Sequence, residues 1–165
     1  MAKAIEGLRT WQEYGLTDLR NITPEQRREA MLEVNAGEGI EEAIAVLEQW
    51  MGFEDAETLS VEIAAHTLGF IHVIRGNLPH IVEKRRDARE RYVNLALDTL
   101  SNPFEIWETP YDDDMPRYVF IGTYEQRYQM YVIIAPWQGK VLWNFMQTDA
   151  KSLNKHRRGN LLYAR

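Results

Sequence analysis

Four side chains set the chemical question. His80, Lys84, Asp87 and Arg91 stand at i, i+4, i+7 and i+11, a spacing that brings them close to one line on a helix of 3.6 residues per turn. An imidazole titrates near neutral pH and moves protons, while an ammonium and a guanidinium hold fixed positive charge. Such a group suits a phosphate-handling site. A second cluster comprises Gln147-Thr148, then Lys155-His156-Arg157-Arg158-Gly159, and Tyr163. An arginine pair ahead of a glycine lets guanidinium groups meet a phosphate in bidentate fashion, with Thr148 donating to a non-bridging oxygen. The plainer readings are a solvated helix face for the first cluster and a basic tail for the second.

The first cluster needs a helix, and the sequence predicts a long one from Asn77 to Leu100. Asn77 is the expected N-cap and Pro79 sits in the first turn. Ile81, Ala88, Tyr92, Leu95, Ala96 and Thr99 form one apolar arc, with the cationic line beside it. Laid on a sheet, such a helix would hold the charges at the lip of the core. Asn102-Pro103 ends it.

Residues 1–22 read as an irregular or weakly helical lead-in carrying Trp11 and Tyr14. Thr23-Pro24-Glu25-Gln26 is a helix start with a capping box, predicting a helix to about Asn35. A second is expected from Ile40 to about Met51, burying Ile44, Leu47 and either Trp50 or Met51, with Gly52 as the stop. Two short strands follow between Thr58 and Arg75; their His66 and His72 read as packed or surface histidines, because no ligand-like spacing accompanies them. After the long helix, alternation predicts strands over 104–109, 117–123, 128–135 and 140–148, a helical turn at 149–152, and a last strand over 159–163. Short gaps favour antiparallel neighbours. The expected fold is α+β, with N-terminal helices and one long helix packed on a four- to five-stranded antiparallel sheet. The expected division is a helical lead-in over 1–57 and a main domain over 58–165.

The net charge of −6 argues against a general nucleic-acid binder, but the average hides an asymmetry. Residues 1–70 hold 5 Lys/Arg against 14 Asp/Glu, a balance of −9; residues 71–165 hold 14 against 11, a balance of +3. The second segment is the better match for an anionic partner. Cysteine is absent, which removes disulfides and thiolate metal sites. No membrane span or secretion signal is legible. Asp112-Asp113-Asp114 reads as a solvated turn, since adjacent carboxylates cannot all converge on one ion. Most aromatics of the later strands read as core or cross-strand residues, with base stacking as the functional alternative.

The run from His80 to Tyr163 resembles the phage-type nuclease modules of the barnase–EndoU–colicin–RelE (BECR) superfamily. The shared stretches are LPHIVEKRRDARERY, TLSNPFEIWE, three alternating strands and RRGNLLYAR. Such modules often form the C-terminal end of Mu F-like minor head, or head morphogenesis, proteins of phages and prophages. WQEYGLTDLRNITP and EEAIAVLEQWMG resemble the segment that precedes them there. The resemblance implies helices on an antiparallel sheet and a metal-independent ribonuclease without cofactor, which cleaves RNA through attack of the 2′-OH on its own phosphate. By position it implies His80 as general acid/base, Lys84 and Arg91 as cationic partners, Arg157 or Arg158 as the basic residue before the late glycine, and Thr148 as the polar residue after the penultimate strand. Arg85 and Tyr163 would bind substrate. Glu105 lies in the NPFEIW strand, without a firm match to the Glu-plus-His pair of barnase. Implied partners are RNA, an immunity protein, or phage head and portal proteins, in a bacterial host cytoplasm or on a virion. The competing classes are a non-catalytic head or adaptor docking module and a toxin held inactive by its acidic segment or an immunity protein. Convergence of the two basic clusters in one open cleft would favour catalysis; scatter would favour docking.

Overall fold

In a computed structural model that describes residues 1–165, the first regular helix is α1, Ile40–Met51. Glu41 and Glu42 in its first turn complement the helix dipole, and Gly52 ends it in the left-handed conformation. Ala43, Leu47 and Met51 recur every fourth residue and are buried, whereas Trp50 is 47% exposed. Of the two expected alternatives, Met51 is the one that faces inward.

The helix expected from Thr23 to Asn35 does not form. The capping box is present, but it closes only a 3-10 turn, Pro24–Gln26, and the chain then runs extended. Competing partners take the backbone. Arg28 N–H donates to Thr123 O and Arg28 O accepts from Glu125 N, while Val34 N–H donates to Arg91 O. The Arg28 guanidinium also grips Asp98 at 2.7 and 3.0 Å. Leu32 is 89% exposed, so a helix here would have lacked an apolar stripe to bury.

The long helix is likewise corrected to two short ones. These are α2, Leu78–Val82, and α3, Val93–Ser101, the latter entered through a 3-10 turn, Arg89–Tyr92. Between them Ala88 adopts a left-handed conformation, φ 42°. Residues 83–87 are all charged, so they offer no apolar area to offset helix ordering. Their arginines bond local carbonyls instead: Arg85 to Val82 O, and Arg91 to Asp87 O and Ala88 O. The line from His80 to Arg91 therefore does not survive.

Seven strands form one sheet, more than the four or five expected: β1 Ser60–Ala65, β2 Gly69–Ile74, β3 Glu105–Thr109, β4 Arg117–Gly122, β5 Gln129–Ala135, β6 Val141–Thr148 and β7 Asn160–Ala164. Their order is β1-β2-β6-β5-β4-β3-β7. Neighbours are antiparallel except β2 and β6, which run parallel and meet at His72 and Val141. The sheet is thus mixed. It exceeds the expectation because the early hairpin and the last strand join its two edges.

Both faces of the sheet are covered. On the first, α1, α2 and α3 pack Leu47, Leu78, Ile81 and Leu95 against Ile106, Phe120, Val132 and Phe145. On the second, Leu19 and Ile22 from the N-terminal arm and Leu153 from the turn helix α4, Ala150–Leu153, close over Trp107, Val119, Ile121 and Tyr131. The arm is held by backbone bonds from Trp11 N to Arg157 O and from Gly159 N to Arg9 O. At the 57/58 division, the Asp55 carboxylate accepts from the N–H groups of Glu57 and Thr58. No helix is long and apolar enough to cross a membrane.

Candidate active site

A cavity of about 540 Å³ opens where α2 meets β6. Asn77 builds this junction, though not as the expected cap. Its side chain makes no cap bond and instead donates to the carbonyls of Leu142 and Trp143 at 3.0 and 3.2 Å. One turn later His80 lies against Trp143, with ring centroids 4.9 Å apart. His80 Nδ1 is 3.8 Å from Glu83 Oε1, an i, i+3 pair on the cavity wall. Lys84, exposed and in no ion pair, completes this side.

Two arginines that sequence spacing did not single out face the same space. Arg89 lines the cavity and is only 4% exposed. Its Nη1 donates to Asn144 Oδ1 at 2.9 Å, its Nη2 is 3.5 Å from Asp87, and its Nε has no partner. That Nε is itself closed to solvent, so Arg89 meets the cavity as a recessed guanidinium and not through this N–H. Arg89 hides in a run of four arginines, and only the left-handed turn at Ala88 directs it inward. Arg117 is the other. It is clasped by Asp113 at 2.8 Å and lies between the rings of Tyr111 and Trp137, 4.4 and 4.8 Å from their centroids. Hydrogen bonding from Arg117 holds the Asp113 carboxyl below its ordinary range. The acidic turn is solvent-exposed as expected, and one of its residues, Asp113, also serves as the counter-ion of Arg117.

Arg158 does not line the cavity; its carbonyl accepts from Thr109 Oγ1 at 2.9 Å, two residues before Tyr111, which does. Burial pushes the Tyr111 phenol up, while the charges of Arg117 and Arg158 act on it in the opposite direction through space. Arg157 points the other way. It is 1% exposed, with Nε and Nη2 each 2.7 Å from the Glu105 carboxylate and Nη1 donating to Thr17 O and Asn154 Oδ1 at 2.9 Å. Of the two arginines before Gly159, Arg157 fastens the core and Arg158 is the one near the cavity.

The remaining sequence candidates lie apart. Arg85 grips the buried carboxylate of Glu90 at 2.6 Å. Burial pushes Glu90 up, but that bond and N–H donation, including from Gly37, hold it below its usual range. Arg91 pairs with Glu33 at 3.2 Å. Thr148 ends β6 opposite Gln129, roughly 13 Å along the strand from Asn144. Tyr163, on the edge strand β7, lies against His66 with ring centroids 4.3 Å apart and planes tilted by 50°, on the helix-covered face. The structure thus brings together His80, Lys84, Arg89 and Arg117, places Arg158 nearby, and leaves Arg85, Arg91, Thr148, Arg157 and Tyr163 elsewhere. No group of three or more His, Asp or Glu side chains is disposed to hold a metal ion.

A family model described as PBECR2, phage-Barnase-EndoU-ColicinE5/D-RelE like nuclease2, matches residues 52–164. The chain belongs to the PBECR2 family. No curated protein and no solved structure matches it. The PBECR2 match takes in all seven strands, α2, α3 and every side chain of the cavity wall named above. The N-terminal arm on the second sheet face precedes the matched residues.

His156, from the basic cluster, stacks on Tyr131 at 4.0 Å. Burial, then the charges of Arg158 and Lys155, push its pKa from 6.5 down to about 4. The folded chain keeps this imidazole neutral where the unfolded chain protonates it. Its contribution is therefore complete above pH 6.5 and is lost as pH falls toward about 4, by about 3 kcal/mol in all. His156→Phe, which keeps a ring on Tyr131, is expected to flatten the fall in melting temperature between pH 6.5 and 5, above the carboxylate range. An unchanged profile would remove His156 as the cause.

Proposed function

We propose that this PBECR2 chain is a metal-independent endoribonuclease that cleaves RNA by transesterification. The observation that carries the reading is one open cavity lined by His80, Glu83, Lys84 and Arg89. The two basic clusters of the sequence do not converge there, since Arg91 pairs with Glu33 and Arg157 with Glu105, and that scatter is the observation on the side of docking. An imidazole beside a carboxylate suits removal of the 2′-OH proton and protonation of the departing 5′-oxygen. Attack of the 2′-oxygen breaks the P–O5′ bond and leaves a 2′,3′-cyclic phosphate. Negative charge grows on the non-bridging oxygens during that step. Lys84 and the recessed positive charge of Arg89 are the groups suited to meet it, and they act most strongly where water is excluded. Arg158 adds positive potential at the Tyr111 side.

The substrate, the phage or prophage setting, action in a bacterial host cytoplasm and control by an immunity protein all belong to this proposal. The test is incubation of tRNA, rRNA and unstructured RNA with the protein in EDTA, followed by analysis of product ends. Cyclic-phosphate ends are the expected result. A folded protein that cleaves none of these RNAs would overturn the reading and favour a head or adaptor docking module.

A further inference from the structure

The cavity has a second kind of wall that proton transfer and charge stabilisation leave unused. Opposite the cations lie Trp143 and Met146 on β6 and Ile133 on β5. Elsewhere on this sheet face, apolar side chains are covered by Leu19, Ile22 and Leu153. Here they are not. Upstream of those residues the arm runs along the 110–112 loop, with Ile5 N bonded to Pro110 O and Asp112 N to Lys3 O. Trp143, Ile133 and Met146 are left partly exposed inside the cavity. The Trp143 indole is also fixed in orientation, by His80 alongside it and by Trp137 edge-on at 5.1 Å.

An immobilised indole face beside an acid/base group and a recessed cation fits a nucleotide, not a bare phosphate. The cavity volume falls within the range of small-ligand sites. We propose that Trp143 is the stacking platform for an unpaired base next to the scissile phosphate, so that the substrate is single-stranded RNA or a loop. This rests on the nuclease reading above. A duplex keeps its bases stacked inside, and its regular backbone cannot fold a phosphate inward to Arg89, which is 4% exposed. A single strand can turn one base onto Trp143 and bring the adjoining phosphate between Lys84 and Arg89. Aromatic stacking tolerates every base, so the platform selects strandedness more than sequence.

The experiment separates binding from cleavage. A short single-stranded 2′-deoxyoligonucleotide lacks the attacking hydroxyl and serves as the binding probe, with its duplex as competitor. The wild type should prefer the single strand. Trp143→Leu, which keeps apolar bulk without a stacking face, should bind it roughly tenfold to a hundredfold more weakly, and Trp143→Phe should retain most of the affinity. Melting curves check that each variant is folded. Equal binding by folded Trp143→Leu, or a duplex bound as tightly as the single strand, would overturn the platform even if the wild type cleaves RNA. Trp143-dependent binding by a protein that cleaves no RNA would keep Trp143 as a single-strand contact but overturn its place beside a scissile phosphate, together with the nuclease reading.

Discussion

His80→Ala is expected to slow RNA cleavage by roughly a hundredfold to ten-thousandfold and to leave the fold intact. The rate effect follows from losing the imidazole among the groups that converge on the cavity. The small structural effect follows from its contacts. The side chain is 36% exposed, and its neighbours are the Trp143 ring and a carboxylate at 3.8 Å. Neither is left as a buried, unpaired charge when the imidazole goes. kcat/KM on a short oligoribonucleotide in EDTA, alongside a melting curve, measures both parts. Glu83→Gln should cost less, because it keeps the size of the side chain and removes only the charge beside the imidazole. Full activity in folded His80→Ala would remove His80 from proton transfer and leave Lys84 and Arg89 to be tested as a phosphate clamp.

The largest stability effect is expected at Arg157, outside the cavity. Arg157→Ala should destabilise the protein by about 3–5 kcal/mol, because it strands the Glu105 carboxylate where only 2% of that residue is exposed. Glu105 would keep a bond from Trp107 Nε1 at 2.9 Å, which is one neutral donor where a full positive charge had been. The same change frees Thr17 O and Asn154 Oδ1, loosening the arm from the second core. Urea unfolding measures the loss. The double variant Arg157→Met, Glu105→Met should be less damaged than Arg157→Ala, since it removes both charges and keeps apolar volume. A loss below about 1 kcal/mol for Arg157→Ala would mean that the ion pair is not what holds the arm.

The strands were legible because period-two alternation is a local signal. Each strand expected over 104–148 begins and ends within one residue of its observed limits. The two helix failures have different causes: distant backbone partners in the first, and local side-chain bonding over a fully charged stretch in the second. Thr23-Pro24-Glu25-Gln26 carries a valid helix start, yet Thr123 and Glu125 bond Arg28 and draw the chain out. The 83–88 stretch has good helix formers, but Arg85 is drawn to Glu90 and Arg91 to the carbonyls of Asp87 and Ala88. At the site, His80 and Lys84 were legible because they follow a helix start that does form. Arg89 and Arg117 were not, since one depends on the left-handed turn at Ala88 and the other on the 111–113 loop. Arg157 and Arg158 are adjacent in sequence, and the position of Glu105 distinguishes the buried one from the outer one.

The pairing of the N-terminal arm with residues near the end of the chain also sets an order of events during synthesis. Residues 9–22 leave the ribosome well before the groups that fasten them, on Asn154, Arg157 and Gly159. Helix α1 and the β1–β2 hairpin can gather early through neighbouring contacts, whereas the second core closes across more than 130 positions of chain. Until that closure, Trp107 and Ile121 have no cover on one side. Strands β3 to β6 are themselves made only with residues 105–148, so the sheet lacks its second cover for a short interval, and that core closes in a step of its own once residues 153–159 can meet the arm.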